Sequence, residues 1–206
     1  MKRLALLGAS GHGKVIADAA LLAGWDEVIF FDDAWPDRTH NGPWSVIGTT
    51  QDLLAQLERF DGALIAIGNC STRWAKHRQL EAAGARMATV VHPAAVVSKY
   101  ARLGPGTVVM AAAVVNAGAE LGAACIINTG ATVDHDCVLG PAVHVCPGAH
   151  VSGDVKIGSG TWVGVGSAIK QGVTLGERVM VGAGAVVIRS VADDVTLVGN
   201  PARVMG

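Results

Sequence analysis

Residues 121–145 read Leu-Gly-Ala-Ala-Cys-Ile-Ile-Asn-Thr-Gly-Ala-Thr-Val-Asp-His-Asp-Cys-Val-Leu-Gly-Pro-Ala-Val-His-Val, and every sixth residue, Leu121, Ile127, Val133, Leu139 and Val145, is a branched aliphatic. The register runs outward unbroken: seventeen successive sixth positions from Val91 to Val187 hold only Val, Leu or Ile. Two residues before them, from Ala95 to Ala185, stands a small or β-branched side chain. A period of six is one short flat strand plus a turn, and three such units make a triangular coil whose aliphatics stack in the lumen. The pattern predicts a parallel β-helix of five to six coils. Glycine follows the aliphatic at positions 104, 122, 140, 158, 164, 176 and 182, where turns needing unusual backbone angles are expected. The segment from Gly199 to Met205 leaves the pattern and is expected to fold back as a cap.

A narrow lumen explains the composition of the 206 residues, which are 50% hydrophobic yet 4% aromatic, with 27 glycines. Mean hydropathy is +0.40, but glycine interrupts the apolar residues before they reach the roughly 18 needed to span a bilayer. Sixteen Lys and Arg against seventeen Asp and Glu leave no basic field for nucleic acid. Cys70, Cys125, Cys137 and Cys146 form no Cys-x-x-Cys pair and read as reduced, buried residues. Met1-Lys2-Arg3 precedes only four apolar residues, too few for a signal-peptide core, so a cytoplasmic protein is expected.

Before the repeats the texture differs. Apolar runs at Arg3–Leu7, Val28–Phe31 and Ala63–Ile67 end in Gly8-Ala9-Ser10-Gly11-His12-Gly13-Lys14, Asp32-Asp33 and Gly68-Asn69. Helical spacing follows over Val15–Ala23, Gln51–Leu57 and Thr72–Ala83. Alternating strands and helices predict a parallel sheet with its ligand at the carboxyl ends of the strands. The domain boundary is expected near residue 90, with a Rossmann-like α/β domain at 1–89 and the β-helix at 90–206. The glycine loop departs from the strict Gly-x-Gly-x-x-Gly dinucleotide fingerprint, although Asp32 stands near the expected acidic position. Small residues still permit close approach of a pyrophosphate, and about ninety residues suit a sugar nucleotide better than a dinucleotide.

Asp134-His135-Asp136 follows the lumenal Val133, which places His135 at an exposed corner between two carboxylates. A carboxylate on one imidazole nitrogen fixes the tautomer and leaves the other free as a general base near neutral pH. His144 lies nine residues on, half a coil away, so the two imidazoles cannot share one face of one coil.

The hexapeptide array, the closing Gly199-Asn200-Pro201-Ala202-Arg203, the Gly-Ala-Ser-Gly-His-Gly loop, Phe31-Asp32-Asp33 and Ile67-Gly68-Asn69 together resemble the NeuD/PglD-type sugar acyltransferases. The resemblance spans nearly the whole chain. It implies a left-handed β-helix, acetyl-CoA as donor, no metal, a homotrimer with sites between subunits, and an amino or hydroxyl group of a bacterial surface sugar as acceptor. It makes His135 the general base and Asp136 its support, with the reach of this short side chain open. It sets His144 against the thioester, the Gly153 amide on the oxyanion, and Val165 and Ala183 on acetyl-CoA. Ser10, Gly11, His12, Asp32, Asp33 and Gly68 would bind the nucleotide and its diphosphate; Lys14 is less fixed in the pattern. His40, His77, His92 and His150 match no role.

The expected activity is N-acetylation of a UDP-, GDP- or dTDP-linked amino sugar, with no role for nucleic acid or membrane. O-acetylation of a sialic acid or related sugar uses the same constellation, and a non-catalytic sugar-nucleotide-binding partner is a further reading. Zinc chemistry of the kind found in some trimeric β-helices wants two histidines five apart, and residue 140 is Gly.

Overall fold

A computed structural model describes residues 1–205, in two compact units, Met1–Pro93 and Ala94–Gly206. In the first, β1 (Arg3–Leu7) is followed by α1 (Gly11–Leu22), β2 (Glu27–Phe31), a hairpin of β3 (His40–Asn41) and β4 (Trp44–Ser45), α2 (Thr50–Leu54), β5 (Gly62–Ile65) and α3 (Cys70–Ala82). The three longer strands form a parallel sheet in the order β2-β1-β5, with Leu7 opposite both Phe31 and Ile65. Their unbroken apolar runs suit strands covered on both faces. Ala5, Leu7, Phe31, Leu53, Phe60 and Leu80 belong to one core cluster, where the Phe31 and Phe60 rings meet edge-on at 5.7 Å.

The helices start earlier than spacing predicts. α1 begins at Gly11 rather than Val15, and α3 at Cys70 rather than Thr72. Apolar periodicity marks the buried stripe, whereas the first turn is set by the capping residue: Asn69 Oδ1 accepts the Thr72 amide at 2.9 Å. α2 is shorter than the predicted segment; Thr49 and Asp52 form a capping box at its start, and a 3₁₀ turn, Leu57–Arg59, follows it.

The second unit is the expected left-handed β-helix. Its repeat strands, up to Val187, are two residues long and form three parallel faces. The first runs from Val96–Val97 through Thr132–Val133 and His150–Val151 to Val186–Val187, and the second from Arg102–Leu103 to Thr174–Leu175. The third includes Val108–Val109, His144–Val145, Trp162–Val163 and Met180–Val181. Partners are eighteen residues apart, as in Val133 with Val151 and Val145 with Val163. From Val109 to Val187 each sixth aliphatic is at most 4% exposed. Inward hydroxyls are satisfied by neighbouring coils, Thr107 Oγ1 donating to Gly122 O at 3.0 Å and Thr161 Oγ1 to Gly176 O at 2.8 Å. All four cysteines are buried free thiols.

The glycines after the lumenal aliphatics have a different cause from the expected one. None of the seven has a positive φ. Coils stack so closely that a β-carbon on Gly122 would lie 2.7 Å from Pro141 N, and one on Gly140 2.7 Å from Ser159 N. The left-handed residues stand two positions further on. They include Gly118, Gly130 and Gly148 with φ between 64° and 76°, and Ala124, Asp136 and Asp154 with φ between 55° and 59°. The final coil is shorter, Val181 pairing with Leu197, and the tail folds back as expected, Arg203–Val204 running antiparallel to Thr196–Val198.

Candidate active site

The turn after the first face of the β-helix stacks Asn116-Ala117-Gly118, Asp134-His135-Asp136, Ser152-Gly153-Asp154 and Lys170-Gln171-Gly172 in successive coils. Asp136 N donates to Ala117 O at 3.2 Å and Asp154 N to His135 O at 2.9 Å, so the turns hold one another. Asp134 Oδ1 accepts both the His135 amide at 2.9 Å and Asn116 Nδ2 at 2.8 Å, which anchors the turn to the coil before it. These two donors hold the Asp134 carboxyl below the usual range.

His135 projects from this frame with its side chain 61% exposed, and its Nδ1 lies 2.8 Å from Asp136 Oδ2. The short aspartate therefore reaches. With Nδ1–H donating to the carboxylate, Nε2 is the basic nitrogen. The Asp136 hydrogen bond, the largest cause, raises the His135 pKa, and the charges of Asp134, Asp136 and Asp154 add to it. Gly153 lies against the imidazole so closely that a β-carbon there would overlap the ring. Gly118 stands in the same relation to the Asp136 carboxylate. The structure thus brings three of the expected residues, His135, Asp136 and Gly153, to one corner.

The others expected on acetyl-CoA lie elsewhere in the coil. His144 is on the third face, 4% exposed. Its ring packs 4.3 Å from that of Trp162, and Asn128 Nδ2 lies 3.1 Å from its Nε2. Val165 and Ala183 sit one above the other in the turn after that face, joined by Gly184 N donating to Val165 O at 2.8 Å. Both are exposed, Val165 by 52%. One coil does not bring His135 together with His144, Val165 and Ala183, because the two turns follow different faces.

In the first unit, Leu7, Gly8, Ser10, Asp32, Asp33, Ile67, Thr72 and Lys76 line a cleft of about 190 Å³ beyond the carboxyl ends of β1, β2 and β5. Gly8 turns out of β1 with φ of 114°, and Gly13 packs α1 against the sheet, where a β-carbon would lie 2.8 Å from the Phe30 ring. Ser10, the N-cap of α1, makes no side-chain capping bond, unlike the caps of α2 and α3.

Of the expected nucleotide residues, Ser10, Asp32 and Asp33 line this cleft, whereas Gly11, His12 and Gly68 are not among its lining. Asp32 Oδ2 accepts the Ala9 amide at 2.7 Å and Oδ1 the Ala34 amide at 2.9 Å. Asp33 accepts Thr50 N and Lys76 Nζ, each at 2.8 Å. Burial pushes the Asp33 carboxyl up, but the Lys76 and Thr50 hydrogen bonds outweigh it and hold it at about 2. Burial, helped by the charge of Arg73, pushes the His12 imidazole down to about 4, so it is neutral at physiological pH. Arg73 is 1% exposed and donates to Ile67 O at 3.0 Å and Gly68 O at 2.6 Å, fixing the bend after β5.

Sequence reasoning missed Lys76 and Arg73. The four-residue spacing of Thr72 and Lys76 in a predicted helix puts both on one face and was a usable signal. Nothing in sequence marks Arg73 as a buried cation. Among the described residues no three His, Cys, Asp or Glu are grouped to hold a metal ion, and no helix is long and apolar enough to cross a membrane.

The chain matches two family models, the PglD N-terminal domain over residues 3–80 and the bacterial transferase hexapeptide of six repeats over residues 154–189. No curated protein matches it. Among solved structures it is similar to the acetyltransferase domain of PglB from Neisseria gonorrhoeae FA1090, with 42% identity, all of both chains covered and a TM-score of 0.95. That domain has also been solved in complex with acetyl coenzyme A. PerB from Caulobacter crescentus, solved with CoA and GDP-perosamine, is 35% identical over 100% of this chain and 98% of its own, with a TM-score of 0.94. WeeI from Acinetobacter baumannii AYE is 29% identical over all of both chains, with a TM-score of 0.89.

Proposed function

Because this chain belongs to the sugar acetyltransferases that join a PglD N-terminal domain to hexapeptide repeats, we propose that it transfers acetyl from acetyl-CoA to the amino group of a nucleotide-linked amino sugar. The observation that carries the reading is the His135–Asp136 pair, an exposed imidazole held by a carboxylate at 2.8 Å. His135 Nε2 takes the proton that the amine loses as its nitrogen bonds to the acetyl carbon, and returns it to the thiolate as the carbon–sulfur bond breaks. Asp136 holds the tautomer and stabilises the imidazolium between those transfers. The Gly153 amide is the donor for the tetrahedral oxyanion.

His144, Val165 and Ala183 bind acetyl-CoA. They lie away from His135 in the coil, which supports a homotrimer in which neighbouring subunits complete each site. Residues 1–89 form the nucleotide-sugar-binding domain, with Ser10, Gly11, His12, Asp32, Asp33 and Gly68 around the nucleotide, and 90–206 the acyltransferase domain. The protein acts in the cytoplasm, in bacterial surface-polysaccharide biosynthesis.

Incubation with acetyl-CoA and UDP-, GDP- or dTDP-linked 4-amino sugars tests the activity through release of free thiol. Thiol release matched by N-acetylated product is expected, and none with sialic acid. His135→Ala is expected to lower kcat by about 10²–10⁴-fold while nucleotide binding persists. No release with any amino-sugar nucleotide, or an undiminished rate in the variant, overturns the proposal.

A further inference from the structure

Three carboxylates stand around the His135 imidazole, and two of them are already engaged. Asp134 Oδ1 accepts the His135 amide and Asn116 Nδ2, and Asp136 Oδ2 meets Nδ1 of the ring. Asp154 is the third. It is exposed, and among the described residues its carboxylate has no hydrogen bond or ion pair. Its place is fixed by the backbone: Asp154 is left-handed, with φ of 55°, and its amide donates to His135 O at 2.9 Å, one coil beyond Asp136 at the same corner. Gly153, next to it in sequence, faces the imidazole, and a β-carbon there would come closer to Nε2 than to any other ring atom. Nε2 therefore points toward the coil that carries Asp154, and the charge of Asp154 acts on the ring.

A sugar amine and a sugar hydroxyl differ most in charge as they arrive. An amine flanked by oxygen-bearing carbons has a pKa near that of an α-amino group, about 8, so at neutral pH most of it is ammonium, whereas the hydroxyl is neutral. A carboxylate with no other partner, beside the nitrogen that takes the acceptor's proton, attracts the first and gains little from the second. Resting on the N-acetylation reading above, we infer that Asp154 receives the ammonium of the acceptor sugar and sets the choice of amine over hydroxyl. The bound ammonium releases one proton to solvent, which frees the nitrogen lone pair. A second passes to His135 Nε2 as the nitrogen–carbon bond forms. Asp154 thus acts in binding, and His135 in the chemical step.

Calorimetric titration of the full chain with UDP-, GDP- and dTDP-linked 4-amino-4,6-dideoxyglucose, each against its 6-deoxyglucose counterpart, reads this without catalysis. With the preferred nucleotide the amino sugar is expected to bind about tenfold tighter, the scale of a hydrogen bond to a charged group. The ratio should shrink as salt is raised, because the carboxylate is exposed. Asp154→Asn and Asp154→Gly both suit a left-handed backbone. They are expected to bring the ratio close to one and to raise KM for the amino sugar about tenfold, with kcat changed less than about threefold. General damage to the corner would weaken both ligands and keep the ratio. Glu120→Gln removes the same charge from the second face, where Glu120 pairs with Arg102, and should keep it too. Equal binding of the pair by the wild type, or a ratio that survives in both Asp154 variants, overturns the inference and leaves acetyl transfer in place. Absence of transfer to every amino-sugar nucleotide overturns the N-acetylation reading and this assignment with it.

Discussion

His135 and Asp136 are adjacent in sequence, and side chains of neighbouring residues in an extended strand point to opposite faces. Here the left-handed backbone at Asp136, with φ of 59°, turns the chain, and the carboxylate meets Nδ1 at 2.8 Å. The hydrogen bond raises the imidazole pKa, and a general base works in its neutral form. The rate must therefore rise with pH through that raised value. Asp136→Asn is expected to move the acidic limb of kcat/KM to lower pH, toward the ordinary value of about 6.5, and to lower the plateau by roughly tenfold or more. A pH–rate profile with an unmoved limb would show that Asp136 does not act on His135. Sequence singled out both residues, since a histidine between two aspartates at a coil corner is rare in this chain; the contact itself depends on a backbone angle that sequence does not display.

At the scale of the coil, glycine serves two purposes that sequence cannot separate. Gly122 is needed because the next coil passes under it, a β-carbon lying 2.7 Å from Pro141 N. Gly130 has open space around it but a φ of 65°, in the same place in its repeat as Ala124 and Asp136, which tolerate that conformation. Gly122→Ala is thus expected to cost about 1–3 kcal/mol through forced separation of the coils. Gly130→Ala should cost about 1 kcal/mol, from backbone conformation alone. Thermal melts of the two variants compare them, and a larger loss for Gly130→Ala would reverse the assignment. The reading of sixfold periodicity placed the aliphatics correctly because lumen burial acts on side-chain type. It misjudged these glycines because stacking distance is a property of two coils eighteen residues apart.

For the molecule as a whole, acid should act first on the α/β unit. His77 is fully buried, its ring stacked 5.4 Å from that of Trp74. Burial, the main cause, pushes its pKa down, as it pushes that of His12 to about 4. A base whose folded pKa is depressed binds its proton more readily in the unfolded chain. Its stabilising effect is complete above the unfolded value near 6.5 and declines as pH falls toward the folded one. The melting temperature is expected to drop between about pH 6.5 and 4, and His77→Phe should flatten that slope. An unchanged slope in the variant would remove His77 from the account.

From sequence alone came the β-helix, the strand-loop-helix texture before it, and His135 with its two aspartates, because periodicity and turn chemistry are written residue by residue. Tertiary structure alone decided the different hydrogen-bond partners of Asp32 and Asp33, the bridging of Asp33 by Lys76, the burial of Arg73, and the closeness of Gly153 to the His135 ring. Each of those depends on what a different part of the chain places opposite a residue. Distances between elements follow from packing, and packing has no local signature.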